Sequence, residues 1–147
     1  MNMRSSRWFS ALPDTMTAAV VRAVGGPDAL QIEHDYPTPT LQPGGVIVKN
    51  EYAGINFIDT YHRSGMYARE LPFVGGQEGG GTVAAVSDEA SEQGIKIGDR
   101  VAYSILQTYS QYSAVPAAKL LPVPDHVGLD VATSCVVQGL TAHYLTS

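Results

Sequence analysis

The sequence predicts a mainly β fold in which many short strands form a partly open barrel or rolled sheet, with one short internal helix and a C-terminal helix. Three observations support this prediction. Short runs rich in β-branched residues alternate with Gly and Pro turn signals over most of the chain. One brief segment between Asn56 and Gly65 has helical spacing. A longer helical pattern occurs only from Gly128 onward.

The strands are predicted from short apolar runs that end at turn residues. The first covers 17–24 and is followed by a turn at 25–27, where two Gly can adopt positive φ and a Pro fixes its own. The second, 30–34, alternates apolar and polar residues as a half-buried strand does. Further strands are predicted over 46–53, 82–86, the residues after a turn at 98–99, 109–115 and 119–121, with 87–94 as an exposed acidic connection.

The short helix follows the strand 46–53 and lies in the stretch 53–67. Asn56 can cap its first turn, and Gly65 can end it in the left-handed region. A strand that leads into an Asn, a short helix and two tyrosines brings several side chains to one strand end. Such a site can hold a small carbonyl compound or a cofactor ring. The alternative is an ordinary strand–helix junction.

The C-terminal helix is predicted over 128–147. Val131, Cys135, Gln138 and Ala142 follow one another at spacings of four, three and four, which places them on one face. We expect Cys135 to be a small buried helix residue and not a nucleophile.

Length and composition exclude several classes of protein. A chain of 147 residues with 44% apolar and 16% charged residues is typical of one soluble globular domain. The net charge of −5 argues against nucleic acid as a partner. No apolar run approaches the roughly 18 residues of a membrane span, so no membrane partner is predicted. A single cysteine excludes an internal disulfide and a cysteine metal cluster.

Residues 1–15 show no sustained period and are predicted to be a flexible N-terminal extension. Arg4 and Arg7 precede any acidic residue, which faintly resembles a mitochondrial presequence. A disordered tail is the simpler interpretation. We therefore expect a cytoplasmic protein, with a mitochondrial location as the alternative.

Three motifs resemble those of the medium-chain dehydrogenase/reductase family and occur in the same order. They are 53–61, the glycine-rich 75–81 and 98–101. More narrowly, the chain is similar to its zinc-free quinone oxidoreductase branch, which includes ζ-crystallin, and 138–142 matches a fourth segment. The resemblance implies a chaperonin-10-like catalytic barrel over 16–127. It also implies that 128–147 leads toward a nucleotide-binding Rossmann domain that is missing from this sequence.

The resemblance further implies NADPH-dependent hydride transfer to a quinone or an α,β-unsaturated ketone, by a protein that is a homodimer at full length. Asn56 and Tyr61 are the implied catalytic hydrogen-bond donors, and Tyr67 the implied substrate contact. The residues implied to contact the cofactor are Asn56, Phe57, Tyr61, Gln138 and Thr141. Core packing is the alternative role for either tyrosine. For the chain alone, a non-catalytic binding or structural module is the alternative function.

The resemblance also implies that no zinc is bound. Zinc-dependent relatives have a Cys where Asn56 stands and a His where Gln77 stands, and neutral amides are not zinc ligands. The four histidines show no ligand spacing, and we expect each at the surface. Gly79-x-Gly81-x-x-Ala84 fits a dinucleotide fingerprint as text, but a predicted strand follows it where a helix is needed. We therefore predict a steric role for these glycines.

Overall fold

The computed structural model describes residues 12–147, and the structure discussed below is that of these residues. They form eight strands and four short α-helices. The strands are β1 Thr15–Val21, β2 Leu30–Pro37, β3 Gly45–Gly54, β4 Phe73–Val74, β5 Glu78–Val86, β6 Arg100–Ser104, β7 Tyr112–Pro116 and β8 Leu120–Pro122. The helices are α1 Phe57–Ser64, α2 Asp88–Glu92, α3 Leu129–Ser134 and α4 Leu140–Thr146, with a π-helical turn, Cys135–Gly139, joining the last two.

The strands form two antiparallel sheets. One has the order β2-β1-β4 and the other the order β7-β3-β5-β6-β8. The segment before β7 connects them, because Ala19 N–H donates to the Tyr109 carbonyl at 2.8 Å and Gln111 N–H donates to the Thr17 carbonyl at 3.0 Å. Within residues 12–147 neither sheet closes on itself. The predicted mainly β, partly open architecture with a C-terminal helix is confirmed.

Three apolar clusters hold these layers together. The largest packs β3, β5, β6 and β7 around Tyr103, which is fully buried. A second joins β1 to β4. The third packs Leu129 and Val136 against Ala102 and Val123, and so fixes α3 and the π-helical turn on β6. This third cluster matters for function because it places Val137 and Gln138 beside the end of β3.

The glycine-rich run is part of a strand. β5 begins at Glu78, four residues before the predicted start at Thr82. A Cβ on Gly81 would lie 2.0 Å from the Lys49 carbonyl oxygen, and one on Gly80 would lie 2.0 Å from the Thr133 hydroxyl. The glycines therefore allow neighbouring elements to approach, which confirms the predicted steric role.

Two other element predictions are wrong. The connection 87–94 contains a helix, α2, because the Ser87 hydroxyl accepts the Ala90 N–H at 3.2 Å and Ala90 is fully buried. The strand predicted from Tyr109 begins at Tyr112. Gln107 has a φ of 78°, which turns the chain before Tyr109 and leaves an irregular segment bonded to β1.

The predicted face of the C-terminal helix is the exposed one. Val131 is 55% exposed and Cys135 is also exposed, so the prediction of a buried cysteine is wrong. Leu129, Thr133 and Val136 are buried instead. Packing against β5 and β6 buries this face, which the sequence pattern did not indicate.

Most of the predicted N-terminal extension, residues 1–11, lies outside the described residues. Thr15, its last member, already belongs to β1 and pairs with Pro37. Across residues 12–147 the structure contains no helix with the length and apolar character needed to cross a membrane.

Candidate active site

The end of β3 is shaped around a buried carboxylate. Gly54, the last residue of β3, pairs with Glu78, the first residue of β5. A Cβ on Gly54 would lie 1.7 Å from Glu78 Oε2, so the carboxylate occupies the space that any side chain at position 54 would need. This close approach is why a glycine ends the strand.

Glu78 connects three elements. Its side chain is 0% exposed. Oε2 accepts a hydrogen bond from Asn56 Nδ2 at 3.1 Å, and Oε1 accepts one from the Val137 N–H at 2.6 Å. A buried carboxylate requires such donors, because an unpaired charge in the interior is strongly disfavoured. Glu78 therefore holds the Asn56 amide and the π-helical turn in fixed positions relative to β5.

Asn56 stands at the N-cap of α1, as predicted, with an extended φ of −122°. Its backbone N–H donates to Asp59 Oδ2 at 2.9 Å, and the Tyr109 hydroxyl donates to the same oxygen at 2.6 Å. Asp59 and Arg63 lie four residues apart, a spacing that allows a surface ion pair on a helix. The Asp59 carboxylate instead turns inward to Tyr109.

Tyr109 is held as a neutral hydrogen-bond donor. Burial raises the pKa of its phenol well above the usual value, and the hydrogen bond to Asp59 and the negative charges of Asp59 and Glu78 act in the same direction. Its ring fills the space beside two glycines: a Cβ on Gly75 or Gly76 would lie within 2.8 Å of a ring carbon. Gly76 also has a φ of 87°. The glycine-rich run thus begins against Tyr109.

The predicted aromatic residues form an exposed cluster on one face of α1. The rings of Phe57 and Tyr61 meet edge to face with centroids 5.3 Å apart, and those of Tyr61 and Tyr67 are also 5.3 Å apart. Phe57 is 74% exposed, Tyr67 is 49% exposed and Tyr61 is half-buried. The Tyr61 hydroxyl has no hydrogen-bond partner among residues 12–147. Core packing therefore does not account for this cluster.

The C-terminal elements bring one further predicted residue to the site. Gln138 Nε2 donates to the Ile55 carbonyl at 3.0 Å, directly before Asn56. Thr141 is exposed at the start of α4 and makes no hydrogen bond through its side chain to the part of the chain that is described. Gln77 is half-buried, and its backbone carbonyl accepts a bond from the Ser104 hydroxyl at 3.1 Å.

Among the described residues, no three His, Cys, Asp or Glu side chains come together as a metal site would require. Three histidines are exposed as expected: His34, His126 and His143. His62 is different. It is half-buried, and its Nδ1 is buried without a hydrogen-bond partner within residues 12–147.

A cavity of about 380 Å³ borders the other face of α1. Asn56 is the one predicted site residue that lines it, and Phe57, Tyr61 and Tyr67 do not. Neither this cavity nor the partners of Asn56 were predicted from the sequence. Glu78 and Tyr109 lie 22 and 50 residues from the side chains to which they bond, so no local pattern signals them. The one usable signal was a Glu within a run of glycines.

Most of the residues described above lie within a segment that matches a known protein family. The family model described as the alcohol dehydrogenase GroES-like domain matches residues 42–125, which include Asn56, Glu78 and Tyr109. The chain belongs to this family. The N-cap of α1, the glycine-rich run and β6 are thus parts of a GroES-like domain.

The individual relatives include quinone oxidoreductases. A probable quinone oxidoreductase of Schizosaccharomyces pombe is 42% identical over 127 residues, which is 85% of this chain and 38% of the relative. A mycobacterial protein solved in complex with NADPH has a TM-score of 0.82 at 46% identity, covering 89% of this chain and 40% of that one. The quinone oxidoreductase of Escherichia coli, also solved with NADPH, has a TM-score of 0.79 at 36% identity, with coverages of 88% and 40%.

These relatives confirm the resemblance to quinone oxidoreductases that the motifs indicated. The chain spans about two fifths of the length of the relatives it matches, 38% and 40% in the cases given. The ligands and activities of these longer proteins therefore depend in part on segments that this chain does not match.

Proposed function

We propose that this GroES-like domain is the acceptor-binding half of an NADPH-dependent reductase of quinones or α,β-unsaturated ketones that works without zinc. The observation that carries the proposal is the Asn56 amide, fixed by a buried carboxylate beside an exposed aromatic face. Similarity to two proteins solved with NADPH, at 46% and 36% identity, supports the cofactor.

Asn56 is suited to donate to an acceptor oxygen. One amide N–H is directed to Glu78. The other has only the Gly54 carbonyl at 3.5 Å, which is too long to engage it strongly. Negative charge develops on the oxygen when a carbonyl accepts hydride, and a donor already in position lowers the barrier. Glu78 acts here as a positioning residue, because it orients the amide and contacts no substrate itself.

Tyr61 supplies the second donor. Its hydroxyl is not used by the described residues, and its ring is held between Phe57 and Tyr67. Tyr67 is half-exposed beside it and offers a flat apolar surface to a quinone ring.

The exposed residues fit a nicotinamide cofactor. Phe57 and Tyr61 present ring surface, and Thr141 presents a free hydroxyl from the adjoining helix. Gln138 is bonded to Ile55, so the two segments are held together. Bound NADPH supplies the hydride. The phosphate groups would be bound outside this domain, because Gly79 and Gly81 lie within β5 and are covered by neighbouring strands.

Zinc independence rests on the amide side chains at positions 56 and 77, since zinc sites use Cys, His or carboxylate ligands. The homodimer and the domain boundaries at 16–127 and 128–147 remain predictions from the resemblance, and the cytoplasmic location remains a prediction from the sequence.

The experiment is a chimera in which this domain replaces the matching part of the Escherichia coli quinone oxidoreductase. We expect NADPH oxidation that depends on added quinone. Tyr61→Phe should lower kcat about ten-fold or more with little change in KM, as expected when a transition-state donor is removed. Tyr52→Phe is the matched control, because Tyr52 is 47% exposed and lies outside the aromatic cluster.

A chimera that folds and binds NADPH but oxidises it with neither quinones nor enones would refute the proposal and favour a non-catalytic module. Unchanged turnover in Tyr61→Phe would refute the role of that hydroxyl alone.

A further inference from the structure

The cavity beside α1 is separate from the aromatic cluster. It borders the helix along Asp59, Thr60, His62 and Arg63, whereas Phe57 and Tyr61 lie on the other face. The sheet β2-β1-β4 contributes Val21, Leu30 and Phe73 to the remaining wall, and β3 of the other sheet contributes Ala53. Its volume of about 380 Å³ is at the lower end of the range of roughly 300–1,000 Å³ found for ligand sites. The space suits a small molecule.

The charged groups of the wall are unbalanced. Arg63 and Arg69 supply two guanidinium groups, and Asp59 is the only carboxylate. The Asn56 N–H and the Tyr109 hydroxyl both donate to Asp59 Oδ2, and Asp59 Oδ1 is buried without a partner among residues 12–147. Neither arginine has a carboxylate oxygen within ion-pair distance among residues 12–147, whereas Arg22 binds Glu33 at 2.7 Å outside the cavity. The cavity wall therefore carries a positive charge without a counter-ion.

Polar atoms of the same residues lack partners. Arg63 Nε and His62 Nδ1 are buried and make no hydrogen bond to the described part of the chain. The Arg69 guanidinium lies 4.2 Å from the centre of the Phe73 ring. Stacking on a ring occupies the face of a guanidinium and leaves its in-plane N–H groups free to donate. Burial lowers the pKa of Arg69, and the charge of Asp59 opposes this without cancelling it.

We propose that this cavity binds a small carboxylate with an apolar body, held through Arg63 and Arg69. A guanidinium presents its N–H groups in a fork that matches both carboxylate oxygens. Val21, Leu30 and the Tyr109 ring provide apolar surface for the rest of the molecule. This apolar surface favours an organic acid over inorganic phosphate. Asn56 also lines this cavity, whereas Tyr61 and Tyr67 do not, so the proposal is tested by ligand binding and not by reductase activity.

The test is calorimetric titration of the chain with benzoate and with benzamide, its neutral counterpart, at constant ionic strength. Benzoate should bind at one site and at least about ten-fold more tightly, as expected for a hydrogen-bonded charge. Arg69→Met keeps an unbranched stem and removes the charge, so it should abolish this preference. Arg22→Met is the matched control and should bind benzoate like the wild type.

Equal affinities for the two probes, or no binding of benzoate, would overturn the proposal. An equal loss in Arg22→Met and Arg69→Met would also overturn it, because the binding would then be a surface charge effect. Inorganic phosphate that competes as well as benzoate would contradict the choice of ligand.

An amide NMR titration of the wild type makes the test independent of how well the variants fold. Benzoate should shift the signals of Gly75 and Gly76 and leave those of Phe57 and Tyr61 in place. The reverse pattern would assign the ligand to the aromatic cluster and refute the cavity site.

Discussion

The two sides of α1 differ in what the residues around Asn56 contact. Behind the helix, Glu78 and Asp59 bind the Asn56 amide, the Tyr109 hydroxyl and two backbone N–H groups at 2.6–3.1 Å. On the other side, Phe57 and Tyr67 are 74% and 49% exposed, and the Tyr61 hydroxyl is free of partners within residues 12–147. The buried network fixes position, and the exposed cluster is left to contact molecules outside the domain.

The sharpest test of the buried side is Gly54→Ala. The new methyl group would lie 1.7 Å from Glu78 Oε2 and would displace a carboxylate that has two donors and no exposed surface. We expect the free energy of unfolding to fall by about 3 kcal/mol or more, measured by urea denaturation. Gly26→Ala is the control, because nothing lies within 4 Å of its Cβ position. Equal stability of the two variants would mean that Glu78 moves freely and does not fix Asn56.

Alkaline unfolding tests a second buried hydrogen bond, which joins β6 to β3. The Tyr103 hydroxyl donates to Asn50, and burial raises the pKa of Tyr103 to about 12. A raised pKa contributes stability that is complete below about pH 10, the unfolded value, and is lost as pH rises through the folded value. Between pH 9 and 12 the free energy of unfolding, measured by urea denaturation, should fall by roughly 2 kcal/mol more in the wild type than in Tyr103→Phe. Equal losses of unfolding free energy in the wild type and in Tyr103→Phe would show that the Tyr103 phenol is not shielded from solvent.

Asp59→Asn should have a smaller effect. The amide keeps the shape but replaces a charged acceptor for Asn56 N–H and Tyr109 with a neutral one. We expect a loss of about 1–2 kcal/mol in unfolding free energy. Asp125→Asn, at an exposed position, is the matched control. If both variants are as stable as the wild type, the inward orientation of Asp59 is not a stabilising feature.

Phe57→Ala should have the smallest effect on stability, about 0.5 kcal/mol, because the ring is mostly exposed and contacts Tyr61 only at its edge. The same urea experiment measures it. A loss as large as that of Gly54→Ala would place Phe57 in the core and remove the contrast between the two sides.

Local chemistry was enough to predict the framework around α1. Gly65 ends the helix with a φ of 83°, as its position after the helical spacing indicated, and Asn56 stands at the N-cap. The β-branched run before it became β3. These features depend on neighbours in sequence, which a pattern can capture.

The remainder depends on contacts between distant segments. Glycine residues such as those near the start of β5 favour turns when considered alone. Only the close approach of Lys49 and Thr133 makes them strand residues. Cys135 was predicted to be buried for a similar reason, because the position of β6 decides which side of α3 packs. The partners of Glu78 are 22 and 59 residues away.

The central claim is that the exposed side of α1 receives the nicotinamide and the buried side does not. Reduced nicotinamide mononucleotide tests it most directly, since this probe carries the reacting ring without the rest of the dinucleotide. Titrated into the isotope-labelled chain, it should shift the amide signals of Phe57, Tyr61 and Thr141 and leave those of Gly75, Gly76 and Gly79–Gly81 unchanged. Shifts confined to those glycines, with the α1 aromatic signals unmoved, would contradict the account.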